Sequence, residues 1–276
     1  MTGISLPSIA AVGYRMGTWL NDQRVHLDPR PRMLATHWYK KRPNFGDAVS
    51  PVVLAHVSAR TPAWVSEFRS GKVLAIGSLL HRVRPGDTVW GTGAIRNTPI
   101  DVEGVNYLAV RGPLSRSVIR GDVPEIYGDP ASLLPKIYEP RISRRFEVGV
   151  VPHYMDRDAM WIDDTSISVI DPLHPWRQVV DLIASCDVII SSSLHGLIVA
   201  ESYGIPAVWV SAGDRLVGGT FKFRDYYLAT EREIVEPISW NRGVEAALKH
   251  VPQAGNTDVS SLVAAWQRGS SDFSGV

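Results

Sequence analysis

Cysteine is nearly absent from this chain: Cys186 is the only one in 276 residues. No intramolecular disulfide can form, and a reducing cytoplasm is the expected setting. No apolar run approaches the roughly 20 residues that a membrane-spanning helix needs. Met1 to Ala11 has no basic segment ahead of an apolar core, so a secretory leader is not expected. No histidine or cysteine cluster has zinc spacing and no acidic loop resembles a calcium site, so no metal is expected. The formal net charge is only +1, which removes any bulk pull toward nucleic acid or an anionic membrane. Internal repeats and low-complexity tracts are also missing. What is present is an ordinary globular composition, 45% hydrophobic and 21% charged, with length for two small domains or one large one.

Apolar runs alternate with segments of helical spacing. Met33 to Tyr39, Lys72 to Ile76, Asp87 to Trp90 and Tyr107 to Val110 read as strands. Ser50-Pro51 opens a first helix through Val57, and Gly112-Pro113 opens another that stops at Gly121. The Pro-rich, basic stretch Pro135 to Arg145 reads as a linker. Beyond it, Phe146 to Val151, Ile167 to Ile170, Val188 to Ile190 and Ala207 to Val210 read as strands, with helices at Trp176 to Ala184 and Leu194 to Tyr203. This spacing implies parallel sheets. The expected fold is α/β, with two Rossmann-like domains facing across a cleft: residues 1–138 and residues 139–276. Residues 1–30 are weakly periodic, with Trp19 and Leu20 available to pack.

One segment dominates the functional reading. A β-branched run, Val188 to Ile190, ends in Ser191-Ser192-Ser193. His195 and Gly196 follow, and then a helical run stops at Gly204. This βαβ unit puts a histidine at the first turn of a helix leaving the carboxyl end of a strand. Open α/β sheets bind ligands at that edge, and a helix N-terminus offers free N–H groups to an anion. His195 is the candidate proton carrier. It reads equally well as a cap of its own helix. The small residues Ser192, Ser193 and Gly196 would let a ligand approach the backbone.

Other candidates are weaker singly. Asn44-Phe45-Gly46-Asp47 follows the first strand, where Asp47 could hold or deprotonate a substrate hydroxyl, although these are also ordinary turn formers. Arg111, between a strand and a helix N-terminus, is placed to clamp an anion. Asp129, in Tyr127-Gly-Asp-Pro130, could orient another residue, and His153 ends a strand. Lys222 and Arg224 stand among aromatics in Phe221 to Tyr227, either in a loop closing over an anion or in an amphipathic helix.

In this order, the motifs resemble the polysaccharide pyruvyl transferases, closest to the ketal pyruvate transferases of bacterial exopolysaccharides such as xanthan. The pieces are Asn44-Phe-Gly-Asp47, Thr88-Val-Trp-Gly-Thr-Gly93, Val110-Arg-Gly-Pro113, Tyr127-Gly-Asp-Pro130, Val151-Pro-His153, Ser191 to Leu197 with Tyr203 to Pro206, and Lys222-Phe223 with Asp225-Tyr-Tyr227. The resemblance implies a GT-B-like fold, phosphoenolpyruvate as donor and co-substrate with no further cofactor, and a cyclic ketal formed on two hydroxyls of a glycan or lipid-linked oligosaccharide. It implies His195 and Asp47 as catalytic, and Ser192, Ser193, Gly196, Arg111, Lys222 and Arg224 around the donor. Asn44, His153 and Asp129 are expected to bind the acceptor, with residues 1–138 as the acceptor side of the cleft and residues 139–276 as the donor side. Work in the cytoplasm follows, at the inner membrane face when the acceptor is lipid-linked. Many members carry Ser-x-Arg-x-His where this chain has Ser193, a serine shared with the xanthan type. The missing cation must come from Arg111, Lys222, Arg224 or Arg96. Two alternatives stand beside this reading: a nucleotide-sugar glycosyltransferase of the same architecture, and a silent relative that binds a glycan or anion.

Overall fold

The computed structural model describes residues 33–42, 44–140, 143, 145–213, 218–233, 236–252 and 255–269. Trp19 and Leu20 lie outside them. Two five-stranded, all-parallel sheets form the frame. The first contains β1 (Met33–Thr36), β2 (Thr61–Trp64), β3 (Val73–Leu74), β4 (Thr88–Trp90) and β5 (Asn106–Ala109), in the order β2-β1-β3-β4-β5. The second contains β6 (Phe146–Val151), β7 (Ile167–Val169), β8 (Cys186–Ser191), β9 (Ala207–Ser211) and β10 (Ile238–Ser239), in the order β10-β9-β8-β6-β7. The helices are α1 (Phe45–Ala48), α2 (Ser50–Ser58), α3 (Pro113–Ser117), α4 (Trp176–Ala184), α5 (Leu194–Ser202), α6 (Phe221–Ala229), α7 (Gly243–Leu248) and α8 (Ser260–Gly269).

The α/β expectation holds, and the two sheets share a winding pattern. In each, the second strand in sequence lies outside the first and the third crosses to the other side. The direction of winding therefore reverses between β1 and β3, and between β6 and β8. A reversal opens a crevice at the carboxyl ends of the two strands, because the loops leave toward opposite faces. The loops after β1, β3, β6 and β8 are the ones so placed.

Three departures from the expectation bear on the frame of the first sheet and its exit. β2 contains Pro62, which cannot donate to a ladder; an edge strand tolerates it, and β2 is an edge. The helix opened by Pro113 ends at Ser117, not Gly121, because Ile100 N–H bonds Val118 O (2.7 Å) and Ile100 bridges Ile119. The stretch read as a linker begins within a 3₁₀ helix, Pro130–Lys136, whose Leu133 and Leu134 are buried.

The core runs through both sheets. Val73 and Trp90 of the first share one apolar cluster with Ile189 and Trp209 of the second and with Leu197 of α5. Helix α8 lies on the first sheet although it comes last in the described sequence. Its Trp266 ring sits 5.0 Å from Trp90, Trp90 Nε1 donates to Leu262 O (2.8 Å), and Trp266 Nε1 donates to Val57 O (3.2 Å). Trp266 is 2% exposed, so truncation leaves a large void. Trp266→Ala is expected to lower unfolding free energy by about 3–5 kcal/mol in chemical denaturation. A change below about 1 kcal/mol would mean that α8 is not docked there.

Candidate active site

The two crevices share one cavity of about 300 Å³. The loop after β1 lines it with Tyr39, Asn44 and Asp47, and the loop after β3 with Gly77, Ser78, Leu79, His81 and Arg82. From the second sheet come His153, Tyr154 and Met155 after β6, Pro172 after β7, and Ser193, Leu194 and His195 after β8. Lys222 of α6 and Ile95 complete the wall. Both sheets thus contribute their ligand-binding edges to one space.

His195 is the second residue of α5. Ser193, at the N-cap, is extended and makes no side-chain cap bond, and this helix end lines the cavity through Ser193, Leu194 and His195. The imidazole packs against Gly46 so tightly that a Cβ there would stand 2.0 Å from His195 Nδ1. Glycine in the Asn44–Asp47 turn therefore makes room for the histidine. His195 Nε2 is buried, has no hydrogen-bond partner and lies 3.8 Å from Asp129 Oδ2. Burial, then the positive charges of Lys222 and Arg111 and neighbouring His153, push the imidazole down to about 3.

Asp47 sits on the facing turn. Its Oδ2 accepts from Asn44 Nδ2 (2.6 Å), and its own N–H donates to Asn44 Oδ1 (3.1 Å), which caps α1. Burial raises its carboxyl to about 6, against the Asn44 bond and the pull of Lys222 and Arg82. His153 faces the same space. Its Nδ1 accepts from Met155 N–H (3.3 Å), its ring lies 4.2 Å from that of Tyr154, and burial with Lys222 lowers it to about 3. Burial, aided by Arg111, brings Lys222 down to about 8 against the pull of Asp47 and Asp156. The amphipathic alternative for Phe221 to Tyr227 is the one observed: Phe223, Tyr226 and Tyr227 are buried and Lys222 reaches the cavity.

Several sequence candidates occupy other places. Ser192 is fully buried; its hydroxyl donates to Asp156 Oδ2 (2.8 Å) and accepts from His153 N–H (2.8 Å), so it holds the β6 loop and does not line the cavity. Gly196 accommodates a neighbour: a Cβ there would lie 2.3 Å from Ser191 Oγ. Arg111 is also set behind the wall. Its Nε donates to Asp225 Oδ2 (3.0 Å), and its terminal nitrogens donate to Ser78 Oγ (2.8 Å) and Ala94 O (2.7 Å). These bonds occupy the guanidinium that was expected to clamp a donor. Arg224 pairs with Glu236 away from the cavity. Asp129 is 1% exposed and stands behind His195, so it has no path to an acceptor. Arg96 lies outside this cavity too.

Arg82 was not foreseen. It lines the cavity, held by His37 Nε2 (3.1 Å) and Glu67 (3.5 Å) with its guanidinium 5.7 Å from the Tyr39 ring. Its 3₁₀ segment, Leu80–Arg82, has no sequence pattern of its own; only the glycine-containing turn after a strand marks the place. Lys222 and Arg82 are thus the Lys and Arg side chains of the cavity wall. Among the described residues no group of three or more His, Cys, Asp or Glu side chains is placed to hold a metal ion.

Comparison with known proteins agrees with the motif reading. Residues 100–214 match the family model of polysaccharide pyruvyl transferases. A succinoglycan biosynthesis protein, ExoV, of Rhizobium meliloti (strain 1021) is 26% identical over 203 residues, 69% of this chain and 62% of that protein. An uncharacterised protein of Acanthamoeba polyphaga mimivirus is 31% identical over 165 residues, 55% of this chain and 57% of that protein. The chain therefore spans less than two thirds of the length of either relative. The resemblance to the pyruvyl transferase family is borne out by the family match and by ExoV.

Two outcomes follow from the electrostatics. Asp225→Ala leaves the Arg111 charge buried without its carboxylate, and is expected to destabilise the fold by about 3–5 kcal/mol in denaturant titrations. An anion in the cavity favours the charged form of Lys222 and raises its pKa from about 8. Sulfate does not titrate near neutrality, so its binding at pH 8 should take up protons and weaken as pH rises further. Calorimetry in two buffers of different ionisation heat reads this uptake, and Lys222→Met should reduce it, whereas an unchanged uptake would mean that Lys222 does not face the anion.

Proposed function

We propose that this chain, as the family match suggests, transfers pyruvate from phosphoenolpyruvate to two hydroxyls of one glycan sugar, forming a cyclic ketal and releasing phosphate. The observation carrying this reading is the meeting of His195, the α5 N-terminus, Lys222 and Arg82 with Asp47 in a single cavity. A donor with up to three negative charges needs such cations and N–H groups. Lys222 and Arg82 take the place of the cation missing at Ser193. The two halves, 1–138 and 139–276, are read as acceptor and donor sides of a GT-B-like arrangement.

The reaction balances without a redox group. His195 gives a proton to the donor's methylene carbon, and a sugar hydroxyl adds to the carbon bearing phosphate. Phosphate leaves and the second hydroxyl closes the ring. Of the two hydroxyl protons, one replaces that donated to the methylene and the other departs with phosphate. Asp47 accepts from the attacking hydroxyl, and a carboxyl near pH 6 suits a base working close to neutrality. Positive charge develops between a carboxylate and a departing phosphate, so the protein mainly positions and neutralises. Phosphoenolpyruvate serves as co-substrate with no other cofactor. The acceptor is a glycan or lipid-linked oligosaccharide, met in the cytoplasm or at the inner membrane face. Among the described residues no helix is long and apolar enough to cross a membrane.

Incubation with phosphoenolpyruvate and a panel of glycosides tests this reading. Acceptor-dependent phosphate release with a pyruvyl mass gain is the expected result. Release of a nucleoside diphosphate from a sugar nucleotide would replace the reading with glycosyl transfer, and neither signal would leave a binding protein. His195→Ala should lower kcat on the order of 100-fold or more with the fold intact, whereas Lys222→Met should mainly raise KM for phosphoenolpyruvate.

A further inference from the structure

We propose that Asp129 is the positioning residue of His195: its carboxylate binds the imidazole at Nε2, fixes the ring tautomer and thereby sets Nδ1 as the atom that exchanges a proton with the substrate. Two orphaned atoms point to this pairing. Buried polar groups almost always find a hydrogen-bond partner, and each exception calls for an explanation. His195 Nε2 and Asp129 Oδ2 are both buried and both unpartnered, and they lie 3.8 Å apart. A shift of about 1 Å makes a charge-assisted hydrogen bond.

The rest of Asp129 is already committed. Its Oδ1 accepts from Ala131 N–H (3.0 Å) and caps the 3₁₀ helix Pro130–Lys136, which packs on α5. The cap aims Oδ2 toward His195, and Gly46 holds the other side of the ring. Gly91 belongs to the same frame, since a Cβ there would lie 2.3 Å from Pro130 Cδ. Asp129 stands outside the cavity wall while His195 is part of it. Nε2 is therefore the ring nitrogen committed to Asp129, which leaves Nδ1, beside Gly46 in the turn that carries Asp47, as the nitrogen free to exchange a proton.

Two protonation states follow. With Asp129 ionised and Nε2 carrying the ring proton, Nδ1 has a free lone pair and acts as a base. One proton more, shared by the pair, makes Nδ1–H an acid. The transition belongs to the pair and not to either residue. The charges that bear on it are Lys222 from α6, Arg111 after β5, His153 after β6, Asp47 of α1 and Asp225 of α6. Burial raises Asp129 to about 7 and holds His195 low, so the free protein is disposed to keep this proton on the carboxyl at mildly acidic pH. A trianionic donor beside His195 would draw the proton to the ring.

Asp129→Asn is the direct test. The amide oxygen keeps the cap on Ala131, so the NH2 group faces His195 Nε2 and forces the proton to Nδ1. Nitrogen-15 shifts of the His195 ring report the tautomer without any need for turnover. Above pH 8 the natural protein should show Nε2–H and the variant Nδ1–H. An Nδ1–H tautomer in the natural protein, which is readable even if the variant fails to fold, overturns the proposal, as does an unchanged tautomer in a folded variant. The kinetic readout rests on the pyruvyl-transfer reading. There, Asp129→Asn should lower kcat on the order of 100-fold or more with little change in KM, and move the pH–rate profile. It should add little to His195→Ala, whereas full additivity of the two losses contradicts a role through His195. A tautomer switch in a protein with no transferase activity would sink the proposed function and leave the pair standing.

Discussion

The buried ion pair between Arg111 and Asp225 holds the site together. Both side chains are fully buried, and they join the loop after β5 to helix α6, which follows the second sheet. Glycines make the pair possible. A Cβ at Gly93 would stand 2.3 Å from Arg111 Cζ, and one at Gly112 would stand 2.1 Å from Asp225 O. Asp225 also accepts from Ser115 N–H (2.8 Å), at the start of α3. Such a pair contributes little net stability against an apolar replacement, but it tolerates only one arrangement of its elements. That arrangement places Lys222, one helical turn before Asp225, at the cavity wall.

The free site is held in electrostatic tension. Lys222, His195 and His153 have their charged forms disfavoured, and Asp47 and Asp129 have theirs disfavoured too. Burial is the first cause in every case, so none of these groups is settled by its neighbours alone. An anion bound in the cavity, such as the proposed donor, would relieve the cationic half of this tension and raise these pKa values. The histidines would then become able to carry protons. On the proposed function, charge arriving with the donor would arm the proton carrier His195.

The β8–α5–β9 unit was legible because each feature is local. A β-branched run, small residues at its end and a helix with its own stop define both the fold and the place of His195. The turn Asn44 to Asp47 was legible for the same reason. The candidates that the structure places away from the cavity depend on what lies across the molecule. Arg111 reads as an anion clamp until Asp225, 114 residues later, is seen to occupy it. Gly196 and Ser192 read as open ground for a ligand, but Ser191 and Asp156 fill that ground. Arg82 could not be found from a two-residue strand and a short 3₁₀ turn. Asp129 was read as an orienting residue and also assigned to the acceptor; only its place behind His195 separates the two. β2 was hidden by Pro62, and α8 by a tail whose partner, Trp90, is far away in sequence.

The account places donor chemistry at His195 in the cavity shared by two strand-reversal crevices. The most direct test is a structure of the protein with phosphoenolpyruvate bound. The account predicts the donor's phosphate or carboxylate against Lys222 and the α5 N-terminus, with its methylene carbon within reach of His195 Nδ1. Donor bound outside this cavity, or held there with the methylene turned away from His195, would contradict it.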